Sequence, residues 1–514
     1  MEYQFNNFYE LILHQGTKRK NKVALLVDDV KITYSQVLEN ADKLAVYLRD
    51  KGLKEGDKVA LFLRNSPEFI YSIFAVSKLG AILVPINTFL KEEELSYILE
   101  NSQSTFLIAS DIHKKVVNGS LASTVCSDIL WEGDIEKGDQ AHFDEVMQVS
   151  GNIDAVEKAL DDIALLIYTS GTTGKPKGAM LSNKNVLSNT ESGKRIINVK
   201  PKDRAIVFLP MFHSFTFSIG VMLPLYTGAS IVIIKSIQPF ANIFKQTLTK
   251  RVTLFFGIPD VYNALSKAKL PWYFMWFNNV RAFISGAAAL QPKTLDAMAK
   301  KFKRATLLEG YGLSEASPAV CMNTFKKQKV GSVGTALYGY EMKIVDVDMD
   351  EVPRGGIGDI IVKGDNVMQG YFNLPEATNE ALVNGWLLTG DVGYMDDEGF
   401  LFIVDRKKDL IISKGINIYP REIEEVIDIF EGVGMSAVIG IFDERSGEVP
   451  VVYIELEEET HTLDQMALKK YMKEHLANYK IPKQIHIIDT LPKNATGKIL
   501  KRVLKDTLQN ETHS

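Results

Sequence analysis

The sequence predicts an α/β fold with a large N-terminal domain followed by a smaller α+β domain. Strand-like apolar segments alternate with amphipathic helical segments in the first block of the chain and again from Ile163 to Lys329. Such alternation is typical of helix-covered, mostly parallel sheets. Val330–Asp405 is rich in glycine and short alternating strands, and Asp409–Ser514 alternates capped helices with strands at small-domain size. We therefore expect two α/β subdomains, a β-rich subdomain and a C-terminal α+β domain.

The first block shows how the elements are predicted. Thr33-Tyr34-Ser35-Gln36 resembles a capping box, and apolar residues at helical spacing follow it until Gly52. Residues 59–63 and 81–85 have the apolar character of buried strands, and the segment 67–78 between them is helical in pattern. Further along, Asp396-Asp397-Glu398-Gly399 predicts a hairpin turn.

Composition excludes several classes of protein. The 514 residues include 59 Lys and Arg and 64 Asp and Glu, a net charge of −5, with 46% hydrophobic residues. These values are ordinary for a globular protein and exclude a disordered chain, a collagen-like repeat and a polycationic nucleic-acid binder. The two cysteines lie far apart and no histidine has metal-ligand spacing, so a disulfide framework or zinc site is not expected. The acidic N-terminus does not resemble a signal peptide, and we expect a cytoplasmic protein.

One segment departs from this ordinary composition. Residues 205–234 are 30 consecutive positions without Asp, Glu, Lys or Arg, which makes the segment a candidate membrane span. Two prolines, two glycines and His213 interrupt it. We instead predict a strand at 205–209, a helix near 216–226 and a strand at 229–234, all in the core and lining an apolar cavity.

The strongest chemical signal is a loop rich in Gly, Ser, Thr and Lys. It runs from Tyr168 to Gly178 as YTSGTTGKPKG, after one apolar segment and before another. Glycines let backbone N–H groups turn towards a phosphate, and the hydroxyls and lysines add donors. It is not a Walker A loop, because Lys175 is followed by proline and the glycine spacing is too short.

Together with five further motifs, this loop resembles the AMP-forming adenylate enzymes, which include acyl-CoA synthetases, peptide-synthetase adenylation domains and firefly-type luciferases. The motifs follow in the family's order: Gly310-Tyr311-Gly312-Leu313-Ser314-Glu315, Thr389-Gly390-Asp391, Asp405-Arg406-Lys407-Lys408-Asp409, Lys414-Gly415-Ile416-Asn417-Ile418-Tyr419-Pro420 and Pro492-Lys493-Asn494-Ala495-Thr496-Gly497-Lys498. Within the family, the sequence resembles bacterial medium- to long-chain fatty acid–CoA ligases. The resemblance implies that a carboxylate attacks the α-phosphate of MgATP, and that CoA then displaces AMP from the acyl adenylate.

The resemblance also implies roles for individual residues. Tyr311, between Gly310 and Gly312, would pack on adenine, while Asp391 and Arg406 would bind the ribose. Glu315, with Thr172, would coordinate magnesium, a cation that prefers oxygen ligands. The loop would hold the β- and γ-phosphates through Thr169, Ser170, Gly171, Thr172, Thr173, Gly174 and Lys177.

The C-terminal part resembles the family's mobile lid. The resemblance implies an N-terminal AMP-binding domain at 1–404, a hinge at 405–408 that contains Lys408, and a lid at 409–514. Lys498 would stabilise charge shared by the α-phosphate and the attacking carboxylate. After the lid rotates, Lys414 and Gly415 would line the approach of CoA.

The predicted substrate is an apolar acid. Phe212 and His213 occupy the position where relatives bring an aromatic residue or histidine beside the substrate carboxylate. The next residues supply no acid to pair an ammonium, which argues against an amino acid. The uncharged segment, with Gly286 and Ala287, would form the acyl pocket. Aryl acids such as benzoate or coumarate are the alternative substrates. Two alternative functions also stay open: an acyl-AMP ligase that loads a carrier protein, and a non-catalytic acyl-adenylate sensor.

Residues 271–277 read PWYFMWF, with Lys267 and Lys269 just upstream. This aromatic segment fits three settings: a packed core, a contact in a homodimer, or a membrane interface from which free fatty acid is collected. The pattern favours the first two, and peripheral membrane association is the alternative.

Overall fold

The computed structural model describes residues 2–121, 124–126, 128–133, 141–169, 175–236, 239–288, 290–413, 416–443, 446–457, 460, 462–494 and 497–512. The chain divides into two compact units. One comprises Met1–Met342 and Val362–Leu387, and the other comprises Lys343–Ile361 and Leu388–Ser514.

The first part of the chain alternates helices and strands, as predicted. Its elements are α1 (Phe8–Lys18), β1 (Val23–Val27), β2 (Val30–Thr33), α2 (Tyr34–Asp50), β3 (Lys58–Phe62), α3 (Pro67–Lys78), β4 (Ile82–Pro85), α4 (Glu92–Ser102), β5 (Ser104–Ser110), α5 (Lys114–Ser120), β6 (Asp128–Glu132) and α6 (Phe143–Gln148). The predicted capping box is confirmed, since the Gln36 N–H donates to Thr33 Oγ1 at 3.3 Å and the Thr33 N–H donates to Gln36 Oε1 at 2.8 Å.

The second part continues the alternation. It contains β7 (Ile163–Thr169), β8 (Lys177–Ser182), α7 (Asn183–Ile197), β9 (Arg204–Val207), a π-helical segment (Thr216–Met222), α8 (Leu223–Thr227), β10 (Ser230–Ile233), α9 (Ala241–Thr249), β11 (Leu254–Gly257), α10 (Pro259–Lys267), α11 (Trp272–Phe277), β12 (Ala282–Ser285), α12 (Pro292–Lys301), β13 (Thr306–Gly312), β14 (Ala319–Met322) and β15 (Thr335–Ala336). The uncharged segment therefore forms strand, helix and strand in the predicted order.

Two sheets make up most of the first unit. One has the strand order β6-β5-β3-β4-β7-β8 and is parallel except for the β7–β8 pair. The other has the order β15-β14-β13-β12-β11-β9-β10-β1-β2, with a parallel centre and antiparallel pairs at both edges. Most side chains of the uncharged segment are buried, and Ile206, Phe208 and Val232 belong to an apolar cluster beside this sheet.

The remaining elements are β16 (Tyr340–Val345), β17 (Gly358–Gly364), α13 (Pro375–Ala381), β18 (Leu382–Val383), β19 (Trp386–Met395), β20 (Leu401–Arg406), β21 (Ile411–Ser413), β22 (Ile416–Ile418), α14 (Pro420–Ile427), β23 (Val433–Asp443), β24 (Gly447–Leu456), α15 (Gln465–His475), β25 (Gln484–Ile488) and α16 (Lys501–Thr512). The predicted hairpin joins β19 to β20, with Gly399 at a φ of +81°. In the second unit, β21 to β25 form a mostly antiparallel sheet.

The predicted fold class is confirmed: a large α/β part with mostly parallel sheets, then a smaller α+β part. Among the described residues no helix is long and apolar enough to cross a membrane. The predicted hinge at 405–408 falls within the second unit, at the end of β20 and in the following 3₁₀ turn Lys407–Asp409, and it stays a prediction.

The aromatic segment is not packed in the core of this chain. Trp272, Tyr273, Trp276 and Phe277 are exposed and only Phe274 is buried. The expectation of a packed core is wrong, because no neighbouring element among the described residues covers these four side chains.

Candidate active site

Strands β7 and β8 hold the two ends of the predicted phosphate loop side by side. Thr169 is the last residue of β7, and it is paired in antiparallel register with Lys177, the first residue of β8. Ser182 caps α7 by accepting from the Asn185 N–H at 3.2 Å. The predicted loop residues Ser170, Gly171, Thr172, Thr173 and Gly174 lie outside the described residues.

Glu315 is the centre of a small hydrogen-bonded group in the first unit. Thr169 Oγ1 donates to Glu315 Oε1 at 3.1 Å, and Tyr371 Oη donates to the same oxygen at 3.0 Å. The Glu315 carbonyl accepts from the Met368 N–H at 2.8 Å. Among the described residues no donor contacts the other carboxylate oxygen, Oε2. The carboxylate is thus oriented through one oxygen while the other can bind a cation.

Tyr371 links this carboxylate to the phosphate loop. The Lys177 ammonium lies 5.3 Å from the centre of the Tyr371 ring, within cation–π range. The Phe372 N–H donates to the Gly178 carbonyl at 2.8 Å, so the segment around Tyr371 lies along β8. Burial and the neighbouring Glu315 charge raise the pKa of the Tyr371 phenol, which therefore stays a hydrogen-bond donor.

Sequence reasoning did not single out Tyr371. The residue lies 56 positions after Glu315, and nothing in its local pattern marks it as part of a site. In the structure, the Gly370 that precedes it has a φ of +135°, a backbone angle that favours glycine.

Gly310, Tyr311 and Gly312 end β13, where this strand pairs with β14. A Cβ atom on Gly312 would lie only 1.9 Å from the Pro318 carbonyl oxygen, so no side chain fits there. Tyr311 is half-buried between the two glycines. The close pairing fixes the backbone two residues before the turn that carries Glu315.

His213 is joined to the same region through its neighbour. Ser214 Oγ and Ser314 Oγ are 2.9 Å apart, which connects the residue after His213 to the residue before Glu315. The Phe215 N–H donates to His213 Nδ1 at 3.3 Å. Burial lowers the pKa of His213 to about 4, so the ring is neutral at pH 7. Since Nδ1 accepts, the proton is on Nε2, which can donate a hydrogen bond to an oxygen.

The predicted pocket residues lie in the same unit. Phe212 is buried, and its ring centre is 6.5 Å from that of Phe89. A Cβ atom on Gly286 would lie 3.3 Å from the Phe215 ring, so the end of β12 meets the uncharged segment at this point. Ala287 follows with a φ of +73°. The structure thus brings Gly286 beside Phe215, which is two positions after His213 in the sequence.

In the second unit, β19 and β20 place Asp391 opposite Arg406. Arg406 Nε lies 3.3 Å from Asp391 Oδ1, and the Asp391 side chain is almost fully buried. Thr389 Oγ1 accepts from the Asp391 N–H at 3.1 Å and donates to the Ile360 carbonyl at 2.8 Å. The predicted ribose-binding pair is therefore adjacent in the structure.

Lys498 belongs to this second cluster by its electrostatics. Burial lowers the pKa of its amine to about 7; the nearby Arg406 and Lys408 charges act in the same direction, and Asp391 opposes them. The Lys498 N–H donates to Asn494 Oδ1 at 2.9 Å, and the Asn494 N–H donates back to the Lys498 carbonyl at 2.9 Å. A lysine with a pKa near 7 is the kind of group found at functional sites.

Lys408 is exposed in the turn after β20, and Lys414 and Gly415 lie outside the described residues.

Among the described residues no group of three His, Cys, Asp or Glu side chains could hold a metal ion. A Mg²⁺ ion at Glu315 would take its other ligands from nucleotide phosphates and water, as this cation commonly does.

Comparison with known protein families decides the class. The family described as AMP-binding enzyme matches residues 12–372, and the one described as AMP-binding enzyme C-terminal domain matches residues 422–498. The chain belongs to the AMP-binding enzyme family. The resemblance inferred from the motifs is therefore confirmed over most of the chain.

Individual members of this family are similar over nearly their full length. A long-chain-fatty-acid–CoA ligase of Bacillus subtilis is 34% identical over 545 residues, which covers 99% of this chain and 95% of that protein. A feruloyl-CoA synthase of an Amycolatopsis species is 33% identical over 473 residues, or 91% and 92% of the two chains. The crystal structure of ATP-bound MatB from Rhodopseudomonas palustris has a TM-score of 0.90 at 30% identity and covers 98% and 99%.

These similarities confirm the predicted class of enzyme, an AMP-forming acyl- or aryl-CoA ligase that uses ATP and CoA.

Proposed function

We propose that this enzyme activates a medium- to long-chain fatty acid and transfers the acyl group to CoA. The observation that carries the proposal is the 30-residue uncharged segment, which has no Asp, Glu, Lys or Arg side chain to pair with a charged substrate tail. Its side chains are mostly buried, it contains His213, and its Phe215 meets Gly286. Burial of each CH₂ group contributes about 0.8 kcal/mol, so such a surface selects for long chains.

In the first half-reaction, a carboxylate oxygen of the fatty acid bonds to the α-phosphorus of ATP and pyrophosphate leaves. The neutral His213 donates from Nε2 to the substrate carboxylate and orients it. Lys177 and the rest of the phosphate loop bind the β- and γ-phosphates. Glu315 would hold Mg²⁺, a cation that supplies positive charge to the phosphates of ATP when bound.

The second unit supplies the remaining groups. The buried carboxylate of Asp391 accepts from the ribose hydroxyls, with Arg406 beside it. The Lys498 ammonium offsets the negative charge shared by the α-phosphate and the attacking carboxylate.

In the second half-reaction, the CoA sulfur attacks the acyl carbon, the thiol loses its proton and AMP leaves. We infer that rotation at Lys408 moves Lys498 away between the two steps and brings the Lys414–Gly415 segment beside CoA.

A second candidate substrate is an aryl acid. The 33% identity to a feruloyl-CoA synthase favours it, because that relative matches this chain over nearly its full length. Phe212 and Phe215 could stack on an aromatic ring as well as pack on an alkyl chain.

Pyrophosphate release tests both candidates when acids from acetate to palmitate, benzoate and ferulate are compared with and without CoA. We expect the highest kcat/KM with octanoate to palmitate and a thioester product that requires CoA. A preference for ferulate or benzoate would favour the aryl candidate. An acyl-AMP product with no CoA thioester would contradict the ligase assignment.

A further inference from the structure

Helix α11 presents an aromatic face to solvent. Trp272 and Trp276 are 71% and 73% exposed, and Tyr273 and Phe277 are 47% and 64% exposed. The four residues form two pairs with a spacing of four, so they share one broad side of the helix. Large aromatic side chains are seldom this exposed together unless the surface binds something.

The aromatic face is held in place rather than loosely attached. The buried Phe274 ring packs edge-on against Phe244 of α9 at 5.7 Å between ring centres. The Arg304 guanidinium donates to the carbonyls of Met275 and Trp276 at 2.6 and 2.8 Å, which satisfies the end of the helix. Because the helix is anchored at its middle and near its C-terminal end, the aromatic side chains cannot easily turn into the core.

The chain segment that contains α11 is strongly basic. Residues 241–304 contain eleven Lys and Arg but only two Asp and Glu, although the whole chain has a net charge of −5. Lys267 and Lys269 precede the helix, and Lys303 adjoins Arg304; all four side chains are exposed. This basic and aromatic surface is complementary to a negatively charged, partly apolar partner.

We propose that α11 and its flanking basic residues dock this enzyme on the surface of an anionic lipid membrane. Trp and Tyr rings sit favourably at the boundary between headgroups and acyl chains, while Lys and Arg attract anionic headgroups. A symmetric contact between two copies is disfavoured, because it would bring the same basic surroundings face to face. The proposal does not depend on which acid the enzyme activates.

Vesicle flotation tests the proposal, with the full-length chain and no nucleotide or acid present. We expect flotation with phosphatidylglycerol/phosphatidylcholine vesicles and little with phosphatidylcholine alone. The double variant Trp272→Ser/Trp276→Ser should lose binding by roughly tenfold or more, and so should the charge variant Lys269→Glu/Lys303→Glu.

Two matched controls separate this effect from a general loss of aromatic or basic residues. Phe442→Ser removes a side chain that is 80% exposed elsewhere, and Lys469→Glu/Lys470→Glu reverses two exposed charges on α15. Both should float like the wild type. Each variant should keep the wild-type melting temperature, because only exposed atoms are changed.

Tryptophan fluorescence gives an independent measurement, since two of the four tryptophans are on α11. The proposal is supported if anionic vesicles shift the tryptophan emission maximum to the blue and the Phe442→Ser variant shows the same shift. Equal flotation of wild type and Trp272→Ser/Trp276→Ser would overturn it. Dimerisation that the same variant abolishes, without vesicle binding, would assign the surface to a second copy. Binding of the wild type to single-stranded RNA, without binding to vesicles, would assign the aromatic surface to nucleic acid.

Discussion

The phenol of Tyr371 donates to Glu315 Oε1 at 3.0 Å and so orients the carboxylate proposed to bind Mg²⁺. Thr169, the last residue of β7 and the first predicted phosphate-binding residue of the loop, donates to the same oxygen at 3.1 Å. A residue of the phosphate loop and a residue of the segment between β17 and α13 therefore both donate to one oxygen of the predicted metal ligand. This arrangement suggests that loop position and cation binding depend on each other.

Tyr371→Phe should weaken Mg²⁺ binding during adenylation. A hydrogen bond to a charged group contributes about 1.5–3 kcal/mol, so the Mg²⁺ concentration for half-maximal pyrophosphate release should rise roughly tenfold or more. Tyr97→Phe is the matched control, because Tyr97 also lies under a loop lysine, Lys175, but donates to the Pro176 carbonyl. Equal Mg²⁺ dependence in the two variants would show that Tyr371 does not position Glu315.

Lys498→Ala should slow adenylation by roughly 10²–10³-fold, the usual effect of removing a group that stabilises transition-state charge. Thioester formation from supplied acyl-AMP should survive, and equal losses in both half-reactions would refute the assigned role. Single-turnover assays of each half-reaction measure the two rates separately.

The pH dependence of adenylation gives a separate test of Lys498. Burial lowers its pKa to about 7, so the amine is charged below that pH and loses its proton above it. We expect kcat/KM for ATP to fall as pH rises through about 7. Lys498→Arg should remove this fall, since the guanidinium stays charged. An unchanged profile in Lys498→Arg would assign the titration to another group.

His213 should affect stability at mildly acidic pH. Its pKa is lowered by burial to about 4, below the unfolded value of about 6.5, so the unfolded chain binds the proton first. The free energy of unfolding should therefore decrease as pH falls from about 6.5 to 4. Urea denaturation of His213→Asn at pH 7 and pH 5 should show a smaller decrease than the wild type. An identical decrease in the two proteins would place the imidazole in contact with solvent.

Gly286→Val should restrict the enzyme to acids with shorter chains. The added side chain would occupy space beside the Phe215 ring, where a Cβ atom already comes within 3.3 Å. Each CH₂ group that loses its buried site should lower kcat/KM by roughly fourfold, so palmitate should suffer far more than hexanoate. A uniform loss for all chain lengths would show that Gly286 is needed for folding and not for chain selection.

The sequence predicted local structure well because capping, periodicity and turn residues act over a few positions. The Thr33–Gln36 cap, the helix at 67–78 and the turn at Asp396–Gly399 are examples. The sequence could not predict which strands pair. Strand β1 pairs with β10, far along the chain, whereas β7 and β8 complete the other sheet. Periodicity records which face of a strand is buried but not which strand lies beside it.

Contiguous motifs grouped residues that the structure also places together, whereas a contact with a distant residue was missed; the roles of these residues stay predictions. The pairing of Asp391 with Arg406 and the proximity of Thr169 to Glu315 agree with the predicted grouping. Tyr371 was not predicted to belong to the site, because its hydrogen-bond partner Glu315 lies 56 residues away in the sequence. The exposure of α11 was also mispredicted, because an apolar composition does not tell whether a neighbouring element covers it.

Competition between acids tests the central claim most directly. The enzyme would receive ATP, CoA and an equimolar mixture of acetate, octanoate, palmitate, benzoate, ferulate and phenylalanine, and mass spectrometry would measure the thioesters formed at low conversion. The account predicts that octanoyl- and palmitoyl-CoA dominate and that the rate of formation of both falls roughly 10²–10³-fold with Lys498→Ala. A product pool dominated by feruloyl-, benzoyl- or acetyl-CoA would contradict it.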